Sequence, residues 1–288
     1  MENNLSMEMN KIYQGDCLEL FKELNDGTVD LFVTSPPYNV GISYDVHKDD
    51  APMDEYFEWC KKWLSEVYRT LKDDGRIALN IPYEINVRER GGRIFLVSEY
   101  WQMMKEIGFG FFGVVDLEED SPHRSKTTAW GSWMSPSSPY IYNPKECVIL
   151  AYKKEYKKKE KGTSQWSYNE IEVENEEGNF KNKRVYSDKD KNEFMELVFG
   201  QWKYFNDTKS LTKATFSMDI PMKAIKILSY KNDLIVDCFS GSGTTALAAK
   251  KLDRNYIGFE LSESYTKISQ QRLIDYDNQK KQLVMFEE

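Results

Sequence analysis

Leu234-Ile235-Val236-Asp237-Cys238-Phe239-Ser240-Gly241-Ser242-Gly243-Thr244-Thr245 is the stretch that decides the fold. An apolar strand runs into a turn with two glycines, and Ala246-Leu247-Ala248-Ala249 then begins a helix. Glycines at 241 and 243 let backbone approach a ligand closely and accept positive φ. A second strand follows, Asn255-Tyr256-Ile257-Gly258-Phe259-Glu260, and ends on a carboxylate. Strand, glycine turn, helix and strand-end acid suit a doubly wound α/β sheet in which the acid meets a ribose hydroxyl pair. By itself this loop also admits a nicotinamide dinucleotide, because Ala246 can stand where a third glycine would fall.

Far upstream, the apolar run Val29-Asp30-Leu31-Phe32-Val33 ends in Thr34-Ser35-Pro36-Pro37-Tyr38-Asn39. Two prolines cannot continue a strand ladder, since neither has an N–H and each fixes φ. The corner is therefore stiff, and it holds a hydroxyl, carbonyls and an aromatic face together. Those groups suit a planar base carrying an exocyclic amine: the amine donates to Ser35 and a carbonyl while the ring lies on Tyr38.

Taken together, the two motifs resemble the amino-group DNA methyltransferases that use S-adenosylmethionine, in the permuted subgroup whose catalytic motif precedes the cofactor loop. That family has Asp, Asn or Ser followed by Pro-Pro and an aromatic, matched by Ser35-Pro36-Pro37-Tyr38. Its Phe-x-Gly-x-Gly loop is matched by Phe239 to Gly243, its strand-end acid by Glu260, and its Gly-Asp-Cys element by Gly15-Asp16-Cys17. The resemblance implies a catalytic set of Ser35, Pro36, Pro37 and Tyr38. It also implies an S-adenosylmethionine pocket made by Asp16, Cys17, Asp237, Phe239, Gly241, Gly243, Thr244 and Glu260. The partner it implies is duplex DNA, with room for a cognate restriction endonuclease, and the enzyme is expected to be a monomer or homodimer. Ser at the first motif position resembles the N4-cytosine enzymes, and N6-adenine is the alternative. A nicotinamide-dependent oxidoreductase is the alternative from another class, and it leaves the Pro-Pro-Tyr corner unexplained.

The composition agrees with the expectation of a cytoplasmic enzyme. At 288 residues the chain has room for one large domain with an insertion. Met1-Glu2-Asn3-Asn4-Leu5-Ser6 is polar, which supports neither a secretion signal nor a membrane span. The four cysteines are scattered without a C-x-x-C pair, so neither zinc nor a disulfide framework is expected. The only histidines, His47 and His123, are read as surface or loop residues, and no metal site is expected.

A net charge of −8 is unfavourable for binding a polyanion, so local patterning has to supply the DNA surface. Lysines 153, 154, 157, 158, 159 and 161 form a basic run, with Tyr152, Tyr156, Trp166 and Tyr168 interleaved. Lys157, Lys158, Lys159, Trp166 and Tyr168 are accordingly the expected DNA-binding residues.

Apolar spacing predicts an amphipathic helix over 54–72, ended by Gly75, and another around 94–106. Strands are expected near 12, 32, 78, 113, 149, 236 and 257. They alternate with helices, as in a seven-stranded, doubly wound, Rossmann-like sheet. Numbered as in the methyltransferase sheet, they run 3, 4, 5, 6, 7, 1, 2, a circular permutation that opens the chain at an exposed connection. The expected division is a catalytic half at 1–152, a target-recognition insertion at 153–205 and a cofactor half at 206–288.

Overall fold

The computed structural model describes residues 7–287 except 44, 47–48, 88–91, 120–130, 133, 142, 175–178 and 206–216; His47 and His123 lie outside the described residues. The first half contains β1 (Lys11–Gln14), α1 (Cys17–Leu20), β2 (Val29–Thr34), α2 (Met53–Thr70) and β3 (Leu71–Pro82). A short hairpin of β4 (Ile85–Val87) and β5 (Gly92–Ile94) leads to α3 (Leu96–Ile107), β6 (Gly110–Glu119) and β7 (Glu146–Tyr152). Next come a second hairpin of β8 (Asn169–Glu174) and β9 (Phe180–Val185), α4 (Asp188–Val198) and β10 (Gln201–Tyr204). The chain closes with α5 (Asp219–Leu228), β11 (Leu234–Asp237), α6 (Thr244–Lys251), β12 (Asn255–Glu260) and α7 (Glu263–Glu287).

The central sheet has the order β1-β12-β11-β2-β3-β7-β6-β10. All seven expected strands are in it, and β7 alone runs antiparallel to both of its neighbours. An eighth strand, β10, comes from the segment expected to be a separate insertion and pairs in parallel with the edge of β6. Trp202 explains why: it is 1 % exposed, and its indole donates to the Leu197 carbonyl, so this segment is built into the core.

Alternation along the strands divides two apolar layers. Phe32, Ile77, Leu79, Val236 and Phe259 face α2 and α3, whereas Leu31, Val33, Ala78, Leu150 and Ile235 face α5 and α6. Both faces are thus buried, as a mostly parallel sheet requires. The amphipathic stripe of α2 places Tyr56, Cys60, Trp63, Leu64 and Val67 in the first layer. This helix stops at Thr70, not at Gly75. Gly75 lies inside β3 at a bend where a Cβ would fall 2.9 Å from the Lys72 carbonyl oxygen.

One pairing positions everything that follows. Leu31 and Phe32 of β2 pair with Ile235 and Val236 of β11, residues far apart in the chain. The proline corner and the glycine loop therefore leave the same sheet edge side by side, at the carboxyl ends of adjacent strands where doubly wound sheets bind ligands.

Candidate active site

Thr34 and Asp237 fasten the two strand ends together: the Thr34 hydroxyl donates to Asp237 Oδ1 at 2.7 Å. The same oxygen accepts from the Phe239 N–H at 3.0 Å, which fixes the first residue of the glycine loop. Asp237 is 1 % exposed, and burial pushes its carboxyl above the ordinary range. It braces the site from beneath, and it does not line the cavity above it.

That cavity, about 410 Å³, is lined by Ser35, Pro36, Pro37 and Tyr38 on one side. Asp16, Cys17, Phe239, Gly241, Thr244 and Glu260 line the other. Asp16 and Cys17 reach it because β1 pairs with β12, and the Gly15 N–H then donates to the Glu260 carbonyl at 2.9 Å. Asp16 caps α1 through the Leu18 N–H at 2.8 Å. The Cys17 thiol is pushed up to about 12 by burial, so it contributes shape and no reactivity. Gly243 turns the loop into α6 at φ 75°, where a Cβ would fall 2.7 Å from Ser269 Cβ.

Glu260 is held from both sides. Its Oε2 accepts from the Gly241 N–H at 2.7 Å and its Oε1 from the Ser262 N–H at 2.8 Å. Burial raises its carboxyl above the ordinary glutamate range, while those two N–H groups pull it down. Each oxygen keeps a lone pair for a further donor.

Several wall residues were not read from the sequence. Trp59 of α2 packs on Phe239 with ring centroids 5.5 Å apart, and Glu55 lies one turn earlier on the same helix face. Their spacing was the only signal available, and it equally fits a residue flanking the core stripe. Asp45 accepts from the Ser262 and Ser264 hydroxyls at 2.6 and 2.7 Å, joining the segment after the proline corner to the segment after Glu260.

The lining tests the expected cofactor. It holds five carboxylates, Asp16, Asp45, Asp49, Glu55 and Glu260, and no lysine, arginine or histidine among the described residues. An aromatic wall and a negative field suit a sulfonium cation and a ribose diol. A dinucleotide pyrophosphate would meet uncompensated negative charge here.

The basic run is elsewhere. Lys158 Nζ lies 3.1 Å from Asp233 and 3.6 Å from Asp30, and its side chain is 7 % exposed. Asp30 and Asp233 stand at the entrances of β2 and β11, the end of the sheet opposite the cavity. Lys153 donates to the Arg69 and Leu71 carbonyls at the end of α2, Lys154 pairs with Asp73, and Lys159 pairs with Glu155. Lys157 is exposed beside them. Trp166 donates to Glu193 at 2.9 Å and packs edge-on against Phe194 of α4. Tyr168 directly precedes β8 and lies under the Arg184 guanidinium of β9, 4.4 Å from the ring centroid. None of these residues lines the cavity.

Replacing Lys158 with alanine should therefore destabilise the fold by about 1–3 kcal/mol, the worth of its charge-assisted contact with Asp233, while Asp30 keeps Lys72 at 2.7 Å. Urea denaturation of the parent and variant measures this. A variant of parental stability would show that the ion pairs contribute nothing net.

The sequence profile of the DNA methylase family matches residues 29–271. Type II methyltransferase M.MjaVI of Methanocaldococcus jannaschii is 41% identical over 142 residues, spanning 49% of this chain and 71% of that protein. Among solved structures, the PvuII DNA methyltransferase (cytosine-N4-specific) superposes with a TM-score of 0.64 at 19% identity, over 90% of this chain and 84% of that one. A putative DNA modification methylase from Thermus thermophilus, complexed with S-adenosyl-L-methionine, does so with a TM-score of 0.63 at 19% identity, over 91% and 92%.

Proposed function

The chain belongs to the DNA methylase family whose members modify the N6 amine of adenine or the N4 amine of cytosine, and from that premise we propose that it methylates cytosine N4 in duplex DNA. The observation that carries this reading is the single cavity shared by Ser35-Pro36-Pro37-Tyr38 and the Phe239–Gly243 loop. A methyl-accepting amine and a methyl donor can meet there. Ser at the head of the corner favours cytosine.

S-adenosylmethionine is the cofactor; when bound it supplies a methyl group on a sulfonium, which needs no acid to depart. Glu260 would take the ribose hydroxyls, Phe239 and Trp59 would flank the apolar parts, and the carboxylate-rich wall would stabilise the positive charge. The remaining work falls to the chain. The target amine is a poor nucleophile because its lone pair is delocalised into the ring. Hydrogen bonds accepted by Ser35 Oγ and the Pro36 carbonyl draw the nitrogen toward tetrahedral geometry and stabilise charge developing on it. Tyr38 stacks on the ring and holds it for in-line attack. No group in the corner is a strong base, so the surplus proton leaves to solvent after transfer. A base inside a duplex cannot reach this cavity, so it must be flipped out.

Duplex DNA would then lie across the carboxyl ends of the strands. Target reading falls to the β8–β9 hairpin and α4, the parts of 153–205 that stand outside the sheet, with Tyr168 as one reader. The enzyme fits a restriction-modification system in which a cognate endonuclease cuts the unmethylated site. Incubating the purified protein with labelled S-adenosylmethionine and duplex DNA, then digesting to nucleosides for mass spectrometry, tests the reading. N4-methylcytosine is the expected product. N6-methyladenine would overturn the choice of base, and absence of labelled nucleoside would overturn methyl transfer to DNA.

A further inference from the structure

We propose that the Tyr38 hydroxyl is the acceptor for the Ser35 proton, so that Ser35 meets the target amine with lone pairs only. This rests on the amine-methylation reading above and assigns Tyr38 a role beyond stacking. Ser35 Oγ and Tyr38 Oη lie 2.7 Å apart, and either hydroxyl could donate across that contact. The direction is inferred from the donor and the acceptor that Asn80 places around Oη.

Tyr38 Oη is fixed by Asn80. The Asn80 side-chain Nδ2 donates to it at 3.2 Å, and the Asn80 backbone carbonyl stands 3.5 Å away as an outlet for the phenolic proton. Asn80 is 2 % exposed, and its orientation is set by Glu146, whose Oε2 accepts from the same Nδ2 at 2.7 Å. A carboxylate only accepts, so the amide nitrogen has to face it. With its own proton turned to the Asn80 carbonyl, Oη presents a lone pair to Ser35. Every proton in the Glu146–Asn80–Tyr38–Ser35 series then has an acceptor.

The direction matters for the chemistry. Cytosine and adenine both carry an acceptor nitrogen in the ring beside the amine. If the Ser35 proton were free, it would donate to that nitrogen and draw the amine lone pair further into the ring. That weakens the nucleophile at the moment it is needed. A phenol that absorbs the Ser35 proton removes this option and leaves Ser35 as an acceptor from the amine.

A phenylalanine keeps the stacking face and loses the acceptor. Tyr38→Phe should bind S-adenosylmethionine and DNA as the parent does, and should slow single-turnover methylation about 10- to 100-fold, the scale of one well-placed polar group. The discriminating measurement repeats both rates on duplex DNA whose target is 3-deazacytosine, which has C–H in place of the ring nitrogen. There the Ser35 proton has nothing to donate to, and the parent-to-variant ratio should fall to within about threefold. An equal ratio on both bases overturns the proposal, since a purely structural role for the hydroxyl would be blind to the ring atom. Full activity of Tyr38→Phe on cytosine overturns it as well. If nucleoside analysis shows methylated adenine, 1-deazaadenine replaces the cytosine analogue and the same ratio decides. A parent protein that transfers no methyl group overturns the underlying reading and the proposal with it.

Discussion

Ser35→Ala is expected to lower the single-turnover rate of methyl transfer about 10²- to 10³-fold, the loss seen when one preorganised transition-state partner is removed. The cofactor half of the cavity is built from other elements, so S-adenosylmethionine affinity should stay within about twofold of the parent's. Alanine removes the acceptor that draws the amine nitrogen out of the ring plane. Tyr38 also loses a partner at 2.7 Å, yet keeps its contacts with Asn80, so the corner itself should hold. Further support comes from Tyr56, whose hydroxyl donates to the Pro37 carbonyl at 2.9 Å and fixes the second proline independently of Ser35. Rapid-quench measurement with labelled cofactor, alongside calorimetry, separates the two effects. Parental turnover in this variant would remove Ser35 from the reaction, and a parallel collapse of cofactor binding would make it a structural residue.

Glu260→Ala should give the second large effect, in the opposite half of the site. The side chain is held by two backbone N–H groups and faces the cavity, so its removal takes away charge-assisted contacts worth about 1.5–3 kcal/mol. That corresponds to a rise in Kd of about 10- to 150-fold, readable by calorimetry. Turnover at saturating cofactor should change far less. The pH dependence has a definite sign. Burial raises the folded carboxyl above the ordinary glutamate range, so the native state binds more protons than the unfolded state between those two values. Its contribution to stability is therefore present below that window and is lost as pH rises through the folded value. Cofactor affinity runs the other way, because the ribose hydroxyls donate to the ionised form. Affinity should fall on acidification from a pH above the ordinary glutamate range, and Glu260→Ala should flatten that fall. Unchanged affinity in Glu260→Ala would remove the residue from the pocket.

Electrostatics shaped the expectation for the DNA surface. A net charge of −8 is unfavourable for a DNA enzyme, and the lysine run looked like its remedy. The folded chain uses much of that run internally, against Asp30, Asp73, Glu155 and Asp233 and against the carboxyl end of α2. Only Glu155 is a near neighbour in sequence. Charge patterning along one chain counts the lysines and cannot count partners brought in from elsewhere.

By itself the sequence determined the elements and the chemistry that is local to them. The Pro-Pro corner, the two-glycine turn and the strand-end acid each work within a dozen residues, because φ restriction, missing donors and strand alternation are short-range effects. Short-range patterning also determined seven strands of the sheet and the helices over 54–72, around 94–106 and from Ala246. Tertiary structure alone decided which strand ends stand together, through the pairing of β2 with β11. It also decided that Gln201–Tyr204 joins the sheet, that Asp237 braces the site from below, and that Trp59 and Glu55 complete the wall. The series from Glu146 through Asn80 and Tyr38 to Ser35 belongs to the same class. Hydrogen bonds and ion pairs act over a few ångströms whatever the separation along the chain, so these contacts exist only once the sheet has folded.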